Sequence, residues 1–234
     1  MLTWNLEEPH RQRVLTHPAV HLTFTTYERG PGRARIAGVV RGEFTEEISG
    51  IGRVVGVRFR PGGFRPFLGA PVSTITDRFP GVDEVFGAES LAVAEEIFTI
   101  PEATDAIALL EEFLQARAPA PDPVVDEVAG MVARIAADSS IIRVGELAQL
   151  LDVPPRRLQR LFNEYVGVGP KWVIRRYRMH EAAERAAESA TRGTCIDWAG
   201  LAAELGYADQ AHFTRDFTAT VGRSPAQYAR MVSA

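Results

Sequence analysis

At 234 residues the chain has the length of one large domain or two ordinary ones. Its composition, 46% hydrophobic and 24% charged, is that of a globular protein, and no apolar run approaches the ~18 residues that span a bilayer. A net charge of −4 argues against binding nucleic acid over the whole surface, and a single cysteine, Cys195, excludes an internal disulfide and any CxxC-type zinc site.

The first residues, MLTWNLEEPHRQR, are polar and lack the basic-then-apolar order of a signal peptide, so the expectation is a cytoplasmic protein with no membrane partner. From about residue 14 to 75, THPAVHLTFTTYERG, RARIAGVVRGEFTEEI and RVVGVRFRPGGF alternate or run in β-branched and aromatic residues between glycine-containing turns. That pattern predicts an antiparallel sheet or a small barrel. Phe24, Phe44, Val57, Phe59 and Phe67 are candidates to line a pocket there, and core packing accounts for them equally well. His17 and His21, four apart, would share one face if both lay on a strand, but a metal site needs a third ligand, for which only His10 and Glu28 lie near in sequence; the expectation is a structural role, with no metal and no cofactor. RPGGFRPF, with adjacent glycines but no lysine, reads as a turn and not a phosphate loop.

Two amphipathic helices follow, ESLAVAEEIF and ATDAIALLEEFLQARA, the second placing Ile107, Leu110 and Leu114 at helical spacing. ARAPAPDPV, residues 116–124, is the clearest boundary, because its prolines withhold backbone donors and disfavour helix. It divides a β-rich domain, residues 1–115, from an all-helical one, residues 125–234. Residues 1–123 carry 12 basic and 17 acidic side chains, a balance of −5, and residues 124–234 carry 14 and 13, a balance of +1.

The helical part contains one pattern twice, LAQLLDVPPRRLQRLFNEYVGVGPKW and LAAELGYADQAHFTRDFTATVGRSPAQY. Leu147, Ala148 and Leu151 match Leu201, Ala202 and Leu205 at an offset of 54; Phe162, Val166, Gly167 and Pro170 match Phe217, Val221, Gly222 and Pro225 at 55. Each copy has the parts of a helix-turn-helix, assigned to residues 144–167 and 197–222. A helix bearing Leu-Ala comes first, then a residue suited to a left-handed turn (Asp152 or Gly206), an apolar plug (Val153 or Tyr207), and a second helix with one apolar face. The polar face of that second helix is the part that enters a major groove. In copy one it presents Arg156, Arg157, Gln159 and Arg160; in copy two Gln210, His212, Thr214 and Arg215. Arginine suits guanine and glutamine suits adenine, which favours Arg157 and Gln159 for base edges. KWVIRRYRMHEAAERAAESA between the copies predicts a helix of about 20 residues, roughly 30 Å, close to one turn of B-DNA. Near its start Lys171, Arg175, Arg176 and Arg178 either meet phosphate or pair with Glu181 and Glu184.

On LQRLFNEYVGVGPKWVIRRYRM and LAAELGYADQAHFTRDFTATVGRSPAQY, residues 125–232 resemble the DNA-binding domain of AraC/XylS-type bacterial regulators. The resemblance implies seven helices, two of them DNA-reading, double-stranded promoter or operator DNA as partner, RNA polymerase as a further contact, and no enzymatic activity. Pro154-Pro155 departs from the serine cap of many relatives, which predicts a recognition helix that forms without its capping hydrogen bond. Residues 1–115 resemble, through GRVVGVRFRPGGFRPFLGAPVSTITDRFPGVDEVFG, an uncharacterised β-rich domain that precedes some of these regulators. In better-known members the front domain is cupin-like, binds a small effector and dimerises, which by analogy implies an effector and a homodimer here, with residues 89–117 as a dimerisation platform. The expected fold class is α+β: a β-rich domain, a cupin-like barrel being one form of it, with two helices, then two helix-turn-helix units on a long helix. The competing reading is a metal-dependent or DNA-repair enzyme with a DNA-binding tail. Repair chemistry of that kind needs a zinc-activated thiolate in the front domain, where there is no cysteine, so Cys195 is read as a neutral thiol.

Overall fold

The computed structural model describes residues 1–194 and 196–232; Cys195 lies outside them. Four strands come first, β1 (Leu2–Val14), β2 (His21–Tyr27), β3 (Arg33–Ala37) and β4 (Phe44–Arg58). They form one antiparallel sheet in the order β1-β4-β2-β3. The sheet is open, with β1 and β3 at its edges, and not a closed cupin-like barrel. Short helices α1 (Arg65–Leu68) and α2 (Val82–Phe86) flank a 3₁₀ turn at Val72–Ile75, and α3 (Ser90–Thr99) and α4 (Ala103–Ala116) complete the domain.

Two sequence expectations are corrected here. The polar N-terminus is strand β1, and the last strand ends at Arg58, not near residue 75; beyond it residues 78–81 only bridge to β3, through Arg35 and Gly81 and the Ile36 and Gly38 amides. Only Trp4 and Leu6 of β1 are even half-buried. An edge strand of this kind has no apolar alternation to announce it, and its charges, Pro9 and an irregular register between Leu6 and His10 blunt the exposed edge. In α4 the buried residues are Ala106, Leu110 and Phe113, while Ile107 is 40% exposed. The apolar stripe is therefore rotated toward the aromatic side chain, which covers more area than isoleucine.

Beyond a connection at residues 117–122 the chain is helical: α5 (Pro123–Ala137), α6 (Val144–Leu151), α7 (Pro155–Leu161) running into a π-helical turn (Phe162–Val166), α8 (Pro170–Thr191), α9 (Trp198–Glu204), α10 (Gln210–Val221) and α11 (Pro225–Val232). Asp122 caps α5, its carboxylate accepting from the Val124 amide (2.9 Å) and from the Tyr165 hydroxyl (2.8 Å).

Three cores hold the chain together. One joins the sheet to α3 and α4 through Leu22, Phe24, Ile36, Val55, Ile97 and Leu110. A second packs α5–α8 around Val128, Ile135, Leu147, Leu158 and Phe162, and takes in Val39 from the N-terminal domain. The third joins α8, α9 and α10 through Met179, Ala182, Leu201, Phe213 and Phe217. Helix α8 serves two of them, Val173 and Ile174 facing the second and Met179 and Ala182 the third. It is thus a strut between the two helix-turn-helix units.

The sheet-containing part and the helical part also touch through polar groups. Thr76 Oγ1 donates to the Gly167 carbonyl (2.6 Å), Arg65 pairs with Glu164 (3.1 Å), and Arg176 Nη2 donates to the Arg41 carbonyl (2.9 Å). At the far end Arg13 reaches both Glu43 and the Gly222 carbonyl.

Candidate nucleic-acid interface

The two copies close their turns with the same local chemistry. Glu146 fixes the start of α6 by accepting from the amides of Ile142 (3.0 Å) and Arg143 (2.9 Å). The helix ends on Asp152 at φ +50°, after which the Val153 amide donates back to Ala148 (3.0 Å). Fifty-four residues later Gly206 has φ +79° and the Tyr207 amide donates back to Ala202 (2.9 Å). A left-handed residue turns the chain while satisfying the last carbonyls of the helix. Glycine is needed only in copy two, where an added Cβ would sit 2.6 Å from Ile142 Cδ1.

The recognition helices differ at their starts. Helix α10 is capped by Asp209, whose carboxylate accepts from the His212 amide (2.7 Å). Helix α7 begins at Pro155 behind Pro154, with no side-chain cap. Proline's preset φ and its missing donor suit the first helical turn, so the helix forms without one.

Leu158, Leu161 and Phe162 face inward from α7, and Phe213 and Phe217 from α10. Arg156, Arg157, Gln159 and Arg160 all lie exposed on the outer side of α7; Gln210, His212 and Arg215 lie exposed on α10, with Thr214 half-buried. Their electrostatic states are unequal. Arg157 pairs with Glu127 of α5 (2.8 Å), and Gln159 donates to Asn163 (3.1 Å). His212 lies 3.8 Å from the Asp216 carboxylate and edge-on to the Tyr207 ring. Arg156, Arg160 and Arg215 form no ion pair among the described residues.

Four basic residues open α8, and they have three different environments. Lys171 is exposed and unpaired among the described residues. Arg175 pairs with Asp216, tying α8 to α10. Arg176 and Arg178 are only 3% and 2% exposed. Arg178 donates to the carbonyls of Ile135 (2.6 Å) and Asp138 (3.0 Å) and pairs with Glu181 (2.6 Å), closing the C-terminal end of α5. Asp216, the inward partner of Arg175, has no counterpart in copy one, and only the packing of α10 against α8 reveals its role.

In the front domain Phe24 and Val57 pack into the core, whereas Phe59 and Phe67 also border a cleft of about 510 Å³ beside residues 119–126, and Phe44 borders one of about 350 Å³. Phe59, Phe64, Phe67, Phe86 and Phe113 form a chain of aromatic contacts with ring centres 4.8–6.3 Å apart. Phe24 is a core residue, and Phe44 stacks on Phe79 at 5.5 Å. His17 stacks on His180 of α8, ring centres 4.2 Å apart, and His180 Nε2 lies 3.1 Å from the Thr16 carbonyl. Among the described residues no third metal-binding side chain joins His17 and His21.

That histidine stack makes the domain contact acid-sensitive. Burial, with His17 and Arg176 beside it, pushes His180 down to about 4 from the usual 6.5, partly opposed by the Thr16 carbonyl. Burial, with Arg58 and Arg176 nearby, lowers His17, and burial, Arg58 and His17 lower His21. A lowered folded-state value means the unfolded chain binds more protons between about 4 and 6.5. Stability therefore falls as pH drops through that window. We expect the melting temperature to decline from pH 6.5 to pH 4.5, and His180→Asn to flatten the decline; an equally steep decline in that variant would refute the assignment.

These features define a class: a paired helix-turn-helix domain with two exposed polar recognition helices on one strut. Residues 147–231 match the helix-turn-helix domain family, and residues 1–80 match a family described as a domain of unknown function, DUF6597. Over 88 residues the chain is 38% identical to the HTH-type transcriptional regulator Rv1931c of Mycobacterium tuberculosis, a stretch that is 38% of this chain and 32% of that relative. The chain thus spans about a third of the length of the curated relative it matches. Among solved structures it is similar to the C-terminal domain of AraT, a response regulator from Geobacillus stearothermophilus (27% identity, 47% of this chain and 86% of that one, TM-score 0.39). It is also similar to ToxT from Vibrio cholerae O395 (12% identity, 99% and 96% coverage, TM-score 0.47). Residues 147–231 of the chain are thus a helix-turn-helix domain.

Proposed function

We propose that the protein is a sequence-specific, DNA-binding transcription regulator whose C-terminal domain reads two successive major-groove segments. The observation that carries this is the placement of α7 and α10 on one rigid helix. Helix α8 has 22 residues, about 33 Å at 1.5 Å per residue, and the two units pack on it through separate cores, one around Val173 and Ile174 and the other around Met179 and Ala182. Arg156, Arg160, Lys171 and Arg215 supply unpaired charge for phosphate and base edges; Arg157, Gln159, Arg175, Gln210, His212 and Thr214 complete the candidate contact set, Arg157 and Arg175 after releasing their carboxylates. The front domain controls this domain through the contacts at Arg41, Gly167 and Gly222.

The test is fluorescence anisotropy of the full chain on duplexes from the region upstream of its own gene. Tight binding that falls steeply with salt, and exceeds binding to a scrambled duplex by at least 10³-fold, is the expected result. Equal binding to both duplexes would overturn sequence-specific regulation.

A further inference from the structure

Between the front domain and the strut helix lies a cleft of about 480 Å³, within the ~300–1,000 Å³ range of small-molecule pockets. The turn at Arg41 and Gly42 and the side chain of Asp77 form one wall; α8, Tyr207 and the back of α10 form the other. Trp172, Met179 and Ala219 give it an apolar lining.

The charges around it do not balance. Arg41 is held by Asp77, whose carboxylate accepts from Arg41 Nε (2.6 Å) and from its amide (2.7 Å). Arg175 is held by Asp216. Arg176, 3% exposed, forms no ion pair among the described residues. Its Nη2 donates to a backbone carbonyl and its guanidinium lies 4.6 Å over the Trp172 ring, while Nη1 is buried with no hydrogen-bond partner among the described residues. Burial alone pushes this guanidinium down to about 10. A buried cation without a counter-ion is destabilising unless an anion completes it.

We infer that this interdomain cleft binds a small organic monoanion, a carboxylate with an apolar body, whose charge neutralises Arg176. Three cations against two carboxylates leave room for one negative charge, and the apolar lining selects against a bare inorganic anion. Residues of both domains and of recognition helix α10 line the cleft, so occupancy changes how the domains sit together. Only that consequence rests on the regulator function above; the binding test contains no DNA, so its failure and the failure of DNA recognition are distinguishable.

The experiment is isothermal titration of the full chain with 4-methylpentanoate and phenylacetate, with the uncharged 4-methylpentanamide and inorganic phosphate as controls. Saturable binding of the carboxylates, at least tenfold tighter than either control, is expected. Arg176→Gln should weaken it at least tenfold. Gly42→Phe should do the same by filling the cleft, since a Cβ there meets nothing within 4 Å, and it leaves Arg176 in place if the first variant fails to fold. The inference is overturned by absence of carboxylate binding, by equal binding of the amide, or by unchanged affinity in Gly42→Phe. It is also overturned if Arg176→Gln weakens binding to every duplex alike while no carboxylate binds, which would make Arg176 a phosphate contact.

Discussion

Arg156→Ala combined with Arg160→Ala is expected to weaken binding to the specific duplex by at least about 30-fold, near 2 kcal/mol, without lowering the melting temperature. Both side chains are exposed on α7 and free of carboxylate partners among the described residues, so neither has an internal bond to give up on meeting DNA. An arginine on a guanine edge is worth about 1–3 kcal/mol, and two such losses set that lower bound. Where an arginine meets phosphate instead, the salt slope falls by about one for each contact removed. Arg157 should behave differently despite its place in the same turn. To reach DNA it must leave Glu127, so Arg157→Ala should be milder and Glu127→Gln should strengthen binding. Anisotropy across a salt series separates these outcomes; a double variant that binds like the parent would remove α7 from the interface.

Arg178→Ala is expected to destabilise the chain by about 3–5 kcal/mol, a large part of the ~5–15 kcal/mol typical of a folded domain. Its buried guanidinium donates to the Ile135 and Asp138 carbonyls at the end of α5 and pairs with Glu181. Truncation orphans the Ile135 carbonyl, leaves the Asp138 carbonyl with the Ile141 amide (3.3 Å), and leaves Glu181 with Arg185 as its remaining ion-pair partner. Arg178→Met, which keeps the stem, should recover part of the loss, since a buried ion pair exchanged for matched apolar volume is often near neutral. Urea unfolding gives the measurement, and a change under 1 kcal/mol for the alanine variant would show that the buried contacts do not stabilise the fold.

What was legible in the sequence follows from the range of the interactions. Asp152 and Gly206 announce their turns because a left-handed residue, its preceding helix and its apolar plug lie within a few positions. The same locality makes α8 readable and explains why α7 survives its two prolines. The β1 strand was invisible because an exposed edge needs no alternation, and the stripe of α4 turned on which neighbour Phe113 met.

The sequence alone thus determines the paired helix-turn-helix units, the long helix between them, and the set of polar residues proposed to face DNA. Tertiary structure decided which of those residues are free. Arg157 meets Glu127 thirty residues away, and Arg176 meets the Arg41 carbonyl across 135 residues. The physical reason is that a charge's partner is set by which surfaces fold together, and burial then decides whether an arginine remains a surface cation or becomes part of a core. Arg175, Arg176 and Arg178, near neighbours in one helix, have three different fates: a tie to α10, an unpaired cation beside an interdomain cleft, and the lock on α5.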